Sequence, residues 1–254
     1  MAASDLSSVA QGLAIIRAAI ERERSGRPGF GVSRMADELR MERSRVSRLT
    51  QELCDIGFLE KDDGSALRVG SAYFGLGASL NHGWVRLARI ELRRLAARFH
   101  ISARLSVRLD ERVLLLRSED GFADMSIRAG MITPTWCTGA GRALLWDHTP
   151  ESVEELLGDV EFIGVGGPYA AHSAQEVLAL MARDRPTGLV DAVGEFEHGI
   201  RELAVPVRDA GGRIVAALSV LARESDFRSE ADDIALLLAD AAQRLSGIDA
   251  SGAA

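Results

Sequence analysis

Three arginines and two serines fall within six residues, Arg43-Ser44-Arg45-Val46-Ser47-Arg48. A guanidinium can bond a guanine edge at two points, and serine hydroxyls commonly meet phosphates, so the pattern suits duplex DNA. Lys61 and Arg68 could reach backbone phosphates or the minor groove, and Ser33 is a further candidate contact. The bland reading of the same residues is a solvated basic helix. A second constellation is Thr138-Gly139-Ala140-Gly141. Glycines ahead of a helix leave N–H groups and the positive dipole end free for an anion such as a carboxylate. The alternative there is a tight turn needed only for packing.

Catalytic chemistry finds little support. His82, His100, His148, His172 and His198 are scattered without metal-ligand spacing. A nucleophile elbow, a P-loop and a dinucleotide fingerprint are all missing. Glu195 and Glu197 are two residues apart, which does not make an acid–base pair. The expectation is a non-enzyme with no metal and no cofactor.

The elements that must position these groups follow from periodicity. Leu6, Val9, Leu13, Ile16 and Ile20 recur at helical spacing, with Ser7 or Ser8 as cap. Gly26, Pro28, Gly29 and Gly31 break that helix. Ser33 then caps a short helix carrying Met35, Ala36 and Leu39, and a turn follows at 40–43. Ser44 caps the next helix, with Val46, Leu49, Leu53 and Ile56 inward and Gly57 at its end. A hairpin over 58–69 turns at Asp63-Gly64. Helix, helix, turn, helix and hairpin is the order of a winged helix-turn-helix, whose second helix of the pair enters the major groove.

A helix follows over 84–99, with Trp84, Leu87, Ala88, Leu92, Leu95 and Phe99 on one side. Alternating stretches then predict strands over 103–110, 113–119, 123–130, 187–192, 199–208 and 213–222. Residues 131–137 read as a loop, and helices are expected over 142–147, 151–157, 173–185 and 229–245. Mixed strands with flanking helices make an α+β domain with an antiparallel sheet.

The net charge of −7 is uneven. Met1–Gly70 holds 11 basic and 11 acidic residues, so the excess of acid lies entirely beyond it. A local basic patch on an acidic protein limits indiscriminate binding to nucleic acid. Cys54 and Cys137 have no disulfide or metal spacing, which fits a reducing cytoplasm. The first residues lack the pattern of a signal peptide, and no apolar run is long enough to span a membrane.

The words SSVAQGLAII, VSRMADELRMERSRVSRLTQELCDIGFLEK and LRVGSAYFGLGASL resemble the IclR family of transcriptional regulators. Ala36, Met41, Ser44, Arg48-Leu49, Leu53, Gly57 and Phe58 carry the pattern. Glu42 and Arg45 depart from it, and an arginine at 45 could change which base is read. TGAGRALL, RDRPTGLVDAVGEFEHGI, AVPVRDAGGRIVAALSV and the last helix resemble the family's effector domain, a GAF/profilin-like fold. The matches come in the family's order over nearly the whole chain.

The resemblance implies a winged helix-turn-helix over 1–70, a linker helix over 71–99, an effector-binding domain over 100–248 and a tail over 249–254. It implies double-stranded operator DNA and a small-molecule effector as partners, and a homodimer or dimer of dimers. Phe74 and Trp84 read as packing or dimer anchors rather than ligand platforms, because large aromatics are usually core. Its effector pocket maps to Met131, Trp136, Thr138, Gly139, Ala140, Glu195, Glu202 and Ser219. Trp136 either lies against a ligand or closes the core. Many relatives carry Cys or Ser where Glu202 stands. A carboxylate facing the pocket repels an anionic effector unless Arg128, Arg142 or Arg201 neutralises it. The expected ligand is then no simple carboxylate and presents a hydroxyl or amine to Glu202. Two alternatives stand beside this: Glu202 faces solvent, or the second domain only oligomerises.

Overall fold

The computed structural model describes residues 7–24, 27–62, 64–73, 83–120, 129–227 and 230–246. The chain divides into two compact units, Met1–Asn81 and His82–Ala254. Among the described residues no helix is long and apolar enough to cross a membrane.

The first unit holds α1 (Ser8–Arg24), α2 (Val32–Leu39), α3 (Arg43–Asp55) and the antiparallel pair β1 (Leu59–Lys61) and β2 (Leu67–Val69). The Ser7 hydroxyl accepts the Ala10 N–H at 3.3 Å and caps α1. Two adjacent faces of α1 are apolar, and packing chooses between them. Ile15, Ile16 and Ala19 join the core, whereas Val9 and Leu13 of the expected stripe stay exposed. Helices α2 and α3 each begin one residue before the expected serine cap. Their N-caps are Gly31 and Glu42, neither with a side-chain bond, so Ser33 and Ser44 lie inside the helices.

Gly57 ends α3 as expected. Its φ is +76°, its N–H donates to Cys54 O at 3.0 Å, and the Phe58 N–H donates to Leu53 O at 2.9 Å. That double bond pattern needs a left-handed residue, which glycine supplies without steric cost. Ile56, expected inside, is exposed. In the hairpin the Asp62 carboxylate accepts the N–H groups of Gly64 at 3.0 Å and Ala66 at 2.8 Å. The left-handed residue is Ser65, at φ +61°; Asp63 lies outside the described residues.

The second unit is built on a six-stranded antiparallel sheet, ordered β5-β4-β3-β8-β7-β6. The strands are β3 (Ser102–Leu109), β4 (Arg112–Asp120), β5 (Ile132–Pro134), β6 (Val190–Val193), β7 (Ile200–Arg208) and β8 (Ile214–Arg223). The stretch expected as a loop at 131–137 is an edge strand and a 3-10 turn, Thr135–Cys137. Proline is tolerated at an edge because its missing N–H is not needed by a further strand. The strand expected over 123–130 falls almost wholly outside the described residues.

Helices α4 (Gly83–Phe99) and α8 (Ala231–Leu245) cover one face of the sheet. Ala88, Leu92 and Leu95 of α4 pack with Leu105, Leu218 and Leu238 in one core. The expected linker helix thus belongs to the second unit. Leu87 is exposed, because five residues turn it about 140° from Leu92. Phe74 and the side chain of Trp84 lie outside the described residues.

Short α5 (Gly139–Leu144) covers part of the other face, and α6 (Pro150–Leu157) and α7 (Ala174–Asp184) pack together beyond it. Thr149 and Ser173 cap α6 and α7. Glu176 completes the second cap by accepting the His172 N–H at 2.8 Å. Helix α5 starts three residues before its expected first residue, Arg142, so the glycines belong to its first turn. Gly141 is required there: a Cβ would stand 2.1 Å from Thr135 O.

Candidate functional site

Helix α3 buries Val46 and Leu49 and turns Arg43, Ser44, Ser47 and Arg48 to the surface. Ser33, Lys61 and Arg68 are also exposed. Local ties on this face are weak. Arg48 is 3.9 Å from Glu52, Lys61 is 3.2 Å from Gln51 Oε1, and Arg68 is 3.5 Å from Asp62. Exposed pairs of this kind contribute little and leave the cations available. The Ser44 hydroxyl donates to Glu42. Arg45 differs from the other arginines. It is half-buried, its Nε donates to the buried Gln11 amide oxygen, and its Nη2 donates to Ser8 Oγ at 3.2 Å. In this structure the Arg45 guanidinium ties α3 to α1.

In the second unit a small cavity, about 30 Å³, lies on the sheet face opposite α4 and α8. Met131, Thr138, Ala140 and Glu202 line it, together with Arg104 and Phe196. Glu202 is buried and faces inward, not toward solvent. Its carboxylate accepts the Gly139 N–H at 2.6 Å and the Ala140 N–H at 3.2 Å. The third N–H, of Gly141, goes to Thr138 Oγ1 at 3.1 Å. The donors expected to greet an external anion are therefore already taken by the chain's own carboxylate. A Cβ at Gly139 would meet Glu202 Cγ at 3.0 Å, so the glutamate would have to shift by a few tenths of an ångström to admit one.

Neither of the described arginines expected to neutralise Glu202 bonds to it, although the Glu202 charge acts on Arg142. Arg201 pairs with Asp191 at 2.8 Å, and Arg128 lies outside the described residues. Arg142 is fully buried and donates to Asp184 at 2.9 and 3.1 Å and to Glu195. Half-exposed Arg183 adds a bond to Asp184 at 2.8 Å, so two cations meet two carboxylates. Burial pushes the Arg142 guanidinium pKa down, and Asp184 opposes that. Glu195 serves this cluster and does not line the cavity. Trp136 does not line it either; it is buried beside Phe162, with ring centroids 5.3 Å apart. Ser219 lies on β8 opposite Arg104 and Ala204 and is fully buried.

Sequence motifs did not single out Arg104. Its signal was alternation: in Ser102–Leu109, Ser102, Arg104 and Ser106 share one side, and Ala103, Leu105 and Val107 the other. An arginine on the inward side of a central strand is rare without a partner.

A winged helix-turn-helix joined to a separate sheet domain with a small cavity fits a DNA-binding regulator. A family model, bacterial transcriptional regulator IclR C-terminal, matches residues 79–247. The chain belongs to the IclR family, whose members are transcriptional regulators and not enzymes. The Pca regulon regulatory protein of Pseudomonas putida is 27% identical over 226 residues, covering 85% of this chain and 74% of that protein. An IclR regulator from Alicyclobacillus acidocaldarius has a TM-score of 0.76 at 22% identity, covering 95% of this chain and 98% of its own. An IclR homologue from Microbacterium hydrocarbonoxydans, solved with 4-hydroxybenzoate, has a TM-score of 0.70 at 22% identity, covering 92% and 97%.

Proposed function

We propose that the chain binds double-stranded operator DNA through α3 and alters that binding when a small molecule fills the cavity beside Glu202. The observation that carries the DNA half is the division of α3 into a buried apolar side and an exposed side of Arg43, Ser47 and Arg48. The wing cations Lys61 and Arg68 extend the positive surface toward the duplex backbone. Support for the ligand half is the cavity itself and the 4-hydroxybenzoate held by a structural neighbour. The name of the Pseudomonas relative supports control of a metabolic operon. A homodimer, or a dimer of dimers, is the proposed assembly. Leu87 and Ile90 on α4, and Val9 and Leu13 on α1, are the exposed apolar residues that favour it.

Fluorescence anisotropy with promoter fragments from the source genome, over a series of salt concentrations, tests the DNA reading. Arg48→Ala should weaken binding to every sequence and lower the salt slope by about one. No binding to any fragment at low ionic strength would overturn it.

A further inference from the structure

One arginine of α3 is held in place before any partner arrives. Arg45 lies in the first turn of the helix, about 100° round it from buried Val46. It is half-buried, on the border between the packed and the open side. Arg43 and Arg48 are exposed, and Arg48 meets Glu52 only at 3.9 Å. Arg45 instead donates from Nε to the Gln11 amide oxygen and from Nη2 to Ser8 Oγ at 3.2 Å. Both acceptors stand on α1, three residues apart and so on one face of it. Gln11 is fully buried, which makes its amide a fixed point on which the guanidinium is hung.

The chemistry of this tie suits recognition. Both acceptors are neutral, so they orient the guanidinium and leave its positive charge intact, whereas a carboxylate there would offset it. They also use one edge of the fork, the side formed by Nε and Nη2. A guanidinium has five N–H donors, and Nη2 carries a hydrogen on each edge. The two bonds leave over the end-on edge, Nη1 with the second hydrogen of Nη2. Two parallel N–H groups there match N7 and O6 on the major-groove side of guanine. The first turn of the second helix in a helix-turn-helix is where side chains meet base edges. Ordering a long side chain on binding costs entropy, and a tie already made in the free protein removes that cost from the complex.

We propose that Gln11 and Ser8 are positioning residues for base recognition, clamping the side-on edge of Arg45 so that its end-on pair, Nη1 and Nη2, meets a guanine in the major groove. The inference rests on the DNA-binding reading above and adds what aims one of its contacts. It assigns a role in specificity to α1, a helix that carries none of the exposed cations of α3 or the wing.

The test uses the full chain and a pool of duplexes with a randomised central segment, enriched by gel shift and sequenced. The parent chain should enrich guanine at one fixed position that depends on Arg45. Arg45→Lys keeps the charge and loses the fork. It should keep the salt dependence and lose about 10-fold of the preference for that guanine. Gln11→Leu leaves Arg45 in place without its fixed point. It should lose preference several-fold at the same position and at no other, and Ser8→Ala should do so to a smaller degree. Gln11→Glu restores an acceptor but adds a negative charge, so it should keep the guanine and bind every duplex several-fold more weakly. Circular dichroism melts check that each variant folds. If Gln11→Leu does not, Ser8→Ala and Gln11→Glu carry the comparison.

A parent-like base profile in Arg45→Lys overturns the proposal and leaves the tie as packing between α1 and α3. Equal weakening on every sequence in Arg45→Lys assigns Arg45 to phosphate and overturns it too. Loss of the guanine in Arg45→Lys without loss in Gln11→Leu or Ser8→Ala overturns the positioning role of α1. In each of these cases the parent chain still selects a duplex, and the DNA-binding reading stands. A parent chain that binds no duplex in the pool at low ionic strength overturns that reading and the inference with it.

Discussion

Replacing Arg142 with methionine keeps an unbranched stem and removes the guanidinium charge at the centre of the second unit's polar cluster. Asp184 and Glu195 are 3% and 2% exposed, and both bond Arg142. Without it, two buried carboxylates face each other, with only Arg183 left, and Arg183 is 51% exposed. Breaking a buried pair typically costs 3–5 kcal/mol, and the surviving Arg183 places this case near the lower end, about 3 kcal/mol. For a unit of this size that corresponds to a fall in Tm of roughly 6–12 °C. All three tryptophans, Trp84, Trp136 and Trp146, lie beyond residue 81, so fluorescence in a urea titration reports the second unit alone. Adding Asp184→Asn and Glu195→Gln to the variant should recover most of the loss, since the stranded charges go with them. A loss below about 1 kcal/mol, or no recovery in the triple variant, would refute the argument that this cluster is a dry, charge-balanced unit.

Two further outcomes follow from local geometry. Gly57→Ala forces a Cβ into φ +76° and should lower stability of the first unit by about 1–2 kcal/mol, read by circular dichroism, with α3 otherwise intact. Burial, and secondarily the charge of Glu202, push the Cys137 thiol up to about 12 from 9.0. Cys54 should therefore be the only thiol to react with a disulfide reagent in the native protein near pH 8, and two should react after unfolding. The raised value makes the folded state hold its proton while the unfolded chain loses it. Its stabilising effect is thus complete below about pH 9 and falls by up to about 1.4 kcal/mol per pH unit as pH rises toward 12. Cys137→Ala should flatten that limb of the pH–stability curve.

Residues with local consequences were legible in the chain. Gly57 closes α3 because a Schellman end needs a left-handed residue, and Ser173 with Glu176 caps α7 because both partners lie within one turn. The exposed arginines of α3 follow from the period of its apolar residues. Readings that depended on choosing between neighbouring faces did not hold. Val9 and Leu13 on α1, Ile56 on α3 and Leu87 on α4 satisfy helical spacing yet remain exposed, since the packed partner selects which stripe is buried.

The amino-acid sequence by itself determined most of the order of elements, the edge strand Ile132–Pro134 excepted, and the alternation that sets inward against outward residues, because these depend on spacing along one segment. Tertiary structure decided which charges meet. It sent Arg45 to Gln11, placed Glu195 on Arg142, let the start of α5 capture Glu202, and left Arg104 unpaired, all through contacts between residues 34 to 63 positions apart or through their absence. Such pairings depend on how strands and helices are registered in space, and no local period in the chain encodes that.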